Sequence, residues 1–222
     1  MNEPTLEEML EELVNGGEEI RRFAAEELGE TGDSDAVPGL TAALRDDSVA
    51  VREAAADALI AIGGEPVCHA ILPLLDDDDA AVRNLALEVF QRLWAHAIPA
   101  CIELYASSSH DLRKIAVDTL GKIEETRKSE GFSTLVSALD DPNINVAQAA
   151  CEALGRIGGK DAVKALADHV GRHAWMDSTI FLSLAEIGSP EAKKELEKVR
   201  PEKLEPDVLY ALKAAREMIK WR

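Results

Sequence analysis

Apolar and polar residues alternate along this chain with the period of an α-helix, in blocks that recur about every thirty residues. The block at 51–63, VREAAADALIAIG, is rewritten with variations at 20–32, 82–93, 112–123, 146–158 and 176–188. Let the first apolar residue of each block be position 0. Positions 0, 3, 4, 7, 8 and 11 are then mostly apolar; in the block at 51–63 they are Val51, Ala54, Ala55, Ala58, Leu59 and Ile62. That spacing places them on one face of a helix. Repetition at a fixed interval predicts stacked supersecondary units, each packing mainly on its neighbours.

The pattern predicts two helices, A and B, in every unit, the block being helix B. An opening helix over 5–14 carries Leu6, Met9, Leu10, Leu13 and Val14 at the helical period and pairs with a helix over 18–28. Pairs follow at 36–44 and 49–62, 66–75 and 80–94, 98–106 and 111–124, 132–139 and 144–157, and 161–170 and 174–187. A last pair over 190–199 and 206–220 closes the stack, with Lys213, Arg216, Lys220 and Arg222 giving it a polar outer side. B helices end at Gly32, Gly63, Gly158 and Gly188, as a left-handed residue after a helix favours. The A-to-B turns carry Asp46-Asp47, aspartates 76–79, serines 107–109 and Asp140-Asp141-Pro142, short side chains suited to capping helix B. Two units depart from the pattern. Trp94-Ala95-His96 joins the third B helix directly to the next A helix, and 124–130 is inserted before the fifth A helix.

This layout resembles the short HEAT-like repeats known from phycobilin lyase subunits. DDSVAVREAAADALIAIGG carries the likeness most closely, followed by DDDDAAVRNLALEVF and DDPNINVAQAACEALGRIGG. The resemblance covers 18–188 and implies an all-α, right-handed solenoid of about seven antiparallel helix pairs. The chain is then one repeat domain over 1–222, with an N-terminal cap helix at 1–17 and a C-terminal cap pair at 189–222. Such a fold serves many unrelated tasks, so function has to be argued from its surface.

Charge narrows the choice. The net charge is −18, and residues 1–190 hold thirty-five acidic against fifteen basic groups. A duplex-binding surface needs the opposite sign, so nucleic acid is not expected. No run approaches the ~20 apolar residues of a membrane span, and the N-terminus, MNEPTLEEML, lacks a signal-peptide core. Cys68, Cys101 and Cys151 form no CxxC pair, which fits a reducing compartment. A cytoplasmic monomer is the expectation.

Position 1, at the edge of the apolar face, reads Arg21, Arg52, Arg83 and Arg113, then Ala147 and Asp177. In the resembled family this arginine meets a turn aspartate of its own or a neighbouring unit. Asp47, Asp78, Asp79 and Asp111 are available for such a ladder; anion binding by the same arginines is the competing reading. Exposed pairs contribute about 0–1 kcal/mol each, so apolar packing must hold the stack.

Positions 2, 5, 6 and 9 are expected to point away from the core, toward a concave groove. Position 6 reads Glu26, Asp57, Glu88, Asp118, Glu152 and then Leu182; position 5 reads Ala25, Ala56, Leu87, Val117, Cys151 and Phe181. A row of carboxylates beside Leu87, Val117 and Phe181 as apolar anchors would suit a basic or amphipathic segment of a partner protein. The competing reading is a solvated helix face.

Chemistry is scarce by comparison. His169 and His173 stand four apart near Asp168 and Asp177, but Gly171-Arg172 interrupts the helix between them, favouring turn and capping roles. Aspartates 76–79 lack the glycine and distal glutamate of a calcium loop. No metal or cofactor is expected. There is no GxSxG elbow or phosphate-binding glycine loop. No histidine precedes a glutamate, as the iron-holding pairs of deoxyhypusine hydroxylase-like repeats would require, and the acidic groove is unlike the basic one of HEAT-like alkylpurine glycosylases. A chromophore-handling subunit like the phycobilin lyases stays open as the alternative, although Cys151 is the lone inner-face thiol and aromatics make up only 4%. The reading reached is a non-enzymatic binding scaffold.

Overall fold

A computed structural model describes residues 4–93 and 96–220. They form fourteen α-helices with short 3₁₀ segments between them and no strand, an α-solenoid of helix pairs. Two compact units are distinguishable, Met1–Ala100 and Cys101–Arg222, and each is described by itself.

The first unit opens with α1 (Leu6–Asn15), whose N-terminus is closed by a reciprocal cap. The Glu8 amide donates to Thr5 Oγ1, and the Thr5 amide donates to Glu8 Oε2 at 2.8 Å. Val14, expected on the apolar face of this helix, proves to be exposed. α2 (Glu18–Thr31), α4 (Val49–Ile62) and α6 (Ala80–Arg92) are its B helices. The A helices are α3 (Val37–Ala43), entered through a 3₁₀ turn, and α5 (Gly64–Ile71), continued by one over Leu72–Asp76. The second unit takes in most of α7 (Ile98–Tyr105), then α8 (His110–Leu120), α9 (Glu130–Ala138), α10 (Ile144–Ile157), α11 (Lys160–Ala167) and α12 (Ala174–Ile187). α13 (Pro190–Lys198) and α14 (Pro206–Met218) complete it. α4, α10 and α12 have the limits the periodicity predicts. α8 stops four residues early, and the inserted stretch becomes a 3₁₀ segment at Glu124–Lys128. The expected Trp94-Ala95 junction and Arg222 lie outside the described residues.

Where B passes straight into the next A helix, paired glycines make the corner. Gly63 and Gly64 have φ of 66° and 81°, and Gly158 and Gly159 have 61° and 91°. Two consecutive positive φ values are open to glycine at little cost and to other residues only with strain.

Burial exceeds what one apolar face supplies. Positions 4 and 8 are buried throughout: Ala24, Ala55, Ala86, Ala116, Ala150 and Ile180, then Leu28, Leu59, Phe90, Leu120, Leu154 and Leu184. Position 5 is buried as well, at Ala25, Ala56, Val117, Cys151 and Phe181. The reason is that a B helix with B neighbours on both sides in its own unit, as α4, α10 and α12 have, is flanked by the preceding and following B helices and backed by an A helix. Three neighbours leave only a narrow strip, positions 2, 6 and 10, facing water. α2 has no preceding B helix, and its Ile20 and Phe23 are accordingly exposed, with the Arg22 guanidinium stacked 4.3 Å from the Phe23 ring centre.

The flanking contacts are close because small residues meet there. A Cβ placed on Gly29 would sit 2.7 Å from Ala58 Cα; on Gly121, 2.8 Å from Ala153 Cα; on Gly155, 3.1 Å from Ser183 Cα. In each case position 9 of one B helix meets position 7 of the next. α4 and α6 carry Ile60 and Val89 at those positions, and their contact is less extensive than that of α2 with α4. Gly29→Val should therefore destabilise the protein by about 1–3 kcal/mol through overpacking. Glu30→Val, one residue on at an exposed position, should stay within about 0.5 kcal/mol. Urea unfolding of the two variants measures the difference.

Candidate functional site

The arginines of position 1 are structural, and their partners differ from those expected. Arg113 donates through Nε and Nη2 to Asp141, at 2.8 and 2.9 Å, and through Nη1 to the Ser107 and Ser108 carbonyls, at 3.1 and 3.0 Å. One guanidinium thus pins its own turn and reaches the turn one unit on. Arg21 does the same with Asp46, at 2.7 Å twice, and the Gly16 carbonyl. The receiving aspartate is also the turn former: Asp46 accepts from the Ser48 amide and Asp141 from the Asn143 amide, both at 2.8 Å. Asp77 accepts likewise from Asp79 at 2.9 Å.

The ladder expected through Asp47, Asp78, Asp79 and Asp111 is corrected accordingly. Asp47 and Asp78 offer backbone carbonyls, to Arg52 at 3.2 Å and Arg83 at 3.0 Å, while their carboxylates face water. Asp79 caps α6 by accepting from the Ala81 amide at 2.8 Å. Asp111 is exposed and lies 3.1 Å from His110 Nδ1. Their carboxylates precede or follow the turn position that points at the neighbouring unit. Arg52 holds its own turn through the Asp46 and Asp47 carbonyls, because Arg45 takes Asp77 instead. In the sixth unit the polarity reverses: buried Asp177 stands at position 1 and accepts from the Gly171 amide at 2.8 Å.

The carboxylates of position 6 lie on the wet strip. In the first unit Glu26, Asp57 and Glu88 are exposed. Glu26, Glu30 and Asp57 edge a groove of about 280 Å³ floored by Gly29, Ala54, Ala58 and Ala61. In the second unit Glu152 is exposed and Asp118 half-buried. The row is not uniformly negative. Arg22 pairs with Glu26 one turn away, and Asp118 has Lys114 Nζ at 2.6 Å and Arg156 Nη2 at 4.0 Å. Among the described residues no ion pair reaches Asp57 or Glu152.

The apolar anchors need correction. Leu87 is half-buried, and Val117 and Phe181 are fully buried because position 5 packs against the following B helix of their unit. Cys151 shares this fate, and burial pushes its thiol up to about 12, so it offers no reactive group to the strip. Of the apolar side chains that face water, three stand on the strip: Leu182 at position 6 of α12 and, with Val208 as position 0 of α14, Tyr210 and Met218 at its positions 2 and 10. Leu182 was legible as the end of the acidic row. Met218 was not, since α14 departs from the repeat.

Other chemistry is accounted for by structure. His169 is buried, its Nδ1 donating to the Ala165 carbonyl at 2.7 Å while Arg172 Nη1 lies 3.2 Å from Nε2. His173 stacks on Trp175 with ring centres 5.5 Å apart, so the two histidines do not converge. Among the described residues no three His, Cys, Asp or Glu side chains gather as metal ligands would. Among them, too, no helix is long and apolar enough to cross a membrane.

HEAT repeats match the chain over residues 4–91, 98–177 and 132–216. The chain belongs to the HEAT-repeat family. It is similar, at 18% identity and TM-score 0.48, to human deoxyhypusine hydroxylase in complex with glycerol, covering 100% of this chain and 86% of that one. It is similar at 21% identity and TM-score 0.39 to the phycocyanin lyase complex of CpcE and CpcF from Nostoc sp. PCC7120, with 97% and 88% covered. A designed armadillo repeat protein matches at 18% identity and TM-score 0.39, with 97% and 100% covered. At these values none of the three assigns an activity. No curated protein sequence matches the chain.

Two buried carboxylates respond oppositely to pH. Burial pushes Asp141 up, but the Arg113 guanidinium and the Asn143 amide outweigh it and hold the carboxyl below its ordinary value. Its stabilisation is present above the unfolded value of about 4 and is lost as pH falls through the depressed folded one. Burial raises Asp177 against the Gly171 amide, so its charge costs stability above that raised value and the cost fades as pH falls through it. Asp141→Asn should lose about 1–3 kcal/mol at neutral pH. Asp177→Asn should be neutral or stabilising there. Both differences from wild type should shrink near pH 3 in urea titrations. Equal losses at neutral pH would contradict this assignment.

Proposed function

We propose that this HEAT-repeat protein is a non-enzymatic protein-binding scaffold whose water-facing B-helix strip engages a basic or amphipathic segment of a partner. The observation that carries the reading is the exposure of Asp57, Glu88 and Glu152 on a strip whose neighbouring positions are packed shut. Within each unit the carboxylates are presented by helices, so a complementary segment meets them without ordering a loop. Opposite charge steers such a segment into place, and like charge turns away nucleic acid. A reducing cytoplasmic setting fits three buried cysteines.

The test is charge reversal. Asp57→Lys with Glu88→Lys changes two exposed strip residues of the first unit and no core contact, so the melting temperature should hold. A partner retained by wild-type protein at low salt should be released at high salt and no longer captured by the double variant. Capture indifferent to both salt and charge reversal would refute the proposal.

A further inference from the structure

We infer that a helix of a partner protein, apolar along one stripe and basic beside it, packs across α1 and α2 in the place that a preceding B helix would take. Its apolar side chains rest on Ile20 and Phe23, and its lysines or arginines meet Glu12 and Glu27. This face of the first unit is separate from the strip, so the inference does not rest on the strip reading.

The repeat defines the seat. In α4, α10 and α12, each with a B helix before it, positions 0 and 7 are buried: Val51 and Ala58, Val146 and Ala153, Met176 and Ser183. α2 has the same positions and, among the described residues, no B helix before it. Ile20 at position 0 is 49% exposed and Phe23 at position 3 is 54% exposed, and Glu27 at position 7 also faces water. Spacings of three and seven residues put these side chains on one face of α2. A hollow of about 380 Å³ extends that face onto α1, lined by Glu8, Glu11, Glu12, Asn15, Gly16 and Ile20.

A terminal repeat that meets only water carries polar residues on its outer face. Glu27 conforms to that, whereas Ile20 and Phe23 form an apolar pair rimmed by charge, the mark of an interaction surface. A B helix takes a helix as its neighbour everywhere else within its unit, and a helix with an apolar stripe is the shape that lies along α2 and covers both residues. Charge then selects what flanks the stripe. Glu8 is used in the cap with Thr5, and Arg22 is paired with Glu26 while stacked on Phe23. Glu12 and Glu27 meet no cation among the described residues. Basic side chains on the incoming helix complement both. A second copy of a chain with net charge −18 is repelled.

The probe is a short peptide with leucines at helical spacing and lysines beside them, titrated into the full chain and followed at the Phe23 ring NMR signal. That signal reports this face and should shift saturably. Ile20→Ser with Glu27→Lys should weaken the peptide by about tenfold or more (about 1.4 kcal/mol), with helical content unchanged by circular dichroism. Glu12→Lys with Glu27→Lys, which leaves both apolar residues in place, should weaken it as well. A peptide with serines in place of the leucines should leave the signal where it is. The absence of a saturable shift, equal affinity for the serine peptide, or affinity untouched by either variant would overturn the docking face. Sedimentation adds a second check: self-association abolished by Ile20→Ser with Glu27→Lys would make a second copy the occupant and overturn it too. Partner capture by Asp57→Lys with Glu88→Lys decides the strip reading by itself, so the two readings stand or fall separately.

Discussion

Close approach of successive B helices is the constraint on which the rest of this structure depends. Gly29 against Ala58, Gly121 against Ala153 and Gly155 against Ser183 bring backbones within a distance that a single added Cβ would violate. Once those helices touch, one with B neighbours on both sides is enclosed on three sides, and position 5 is drawn into the core along with positions 4 and 8. What remains for water is a strip one residue wide. That strip is the reason a repeat with so much alanine can still present an ordered row of charged and apolar side chains.

The turns keep neighbouring units in register. Arg113 and Arg21 each satisfy carbonyls of their own turn and clasp an aspartate of the next, which itself closes that turn by accepting an amide. The contribution is geometric more than energetic: a planar fork matched to a carboxylate fixes direction as well as distance. Where the arginine is replaced, at Asp177, the turn is held by the opposite polarity, an acceptor for the Gly171 amide in place of a donor for carbonyls.

Much of this was legible before any coordinates. The thirty-residue spacing and the capping glycines located α4, α10 and α12 to the residue, because local propensity and tertiary packing agree there. The strip carboxylates were legible too, since position 6 has no neighbour to bury it. Illegible was the fate of Val117 and Phe181: one-face periodicity describes a helix with a single neighbour, and these helices have more than one. The exact aspartate of each ladder contact was equally out of reach. Asp46 and Asp47 differ by one residue, and only the turn geometry says which points along the stack. α8 ended early for a related reason, as Gly121 serves the contact with Ala153 and the chain then enters the inserted 3₁₀ segment.

Within the first unit, the pairing of Ile60 and Val89 where the preceding contact uses Gly29 and Ala58 sets α4 and α6 apart. In a linear array the free energy of the whole is a sum over neighbours, and the loosest joint decides where it parts. Strain applied to the first unit would gather at that joint, leaving α1 to α4 to separate as one body. A seam of this kind lets the array flex at a chosen place while the tightly knit helices on one side of it keep their side chains in position.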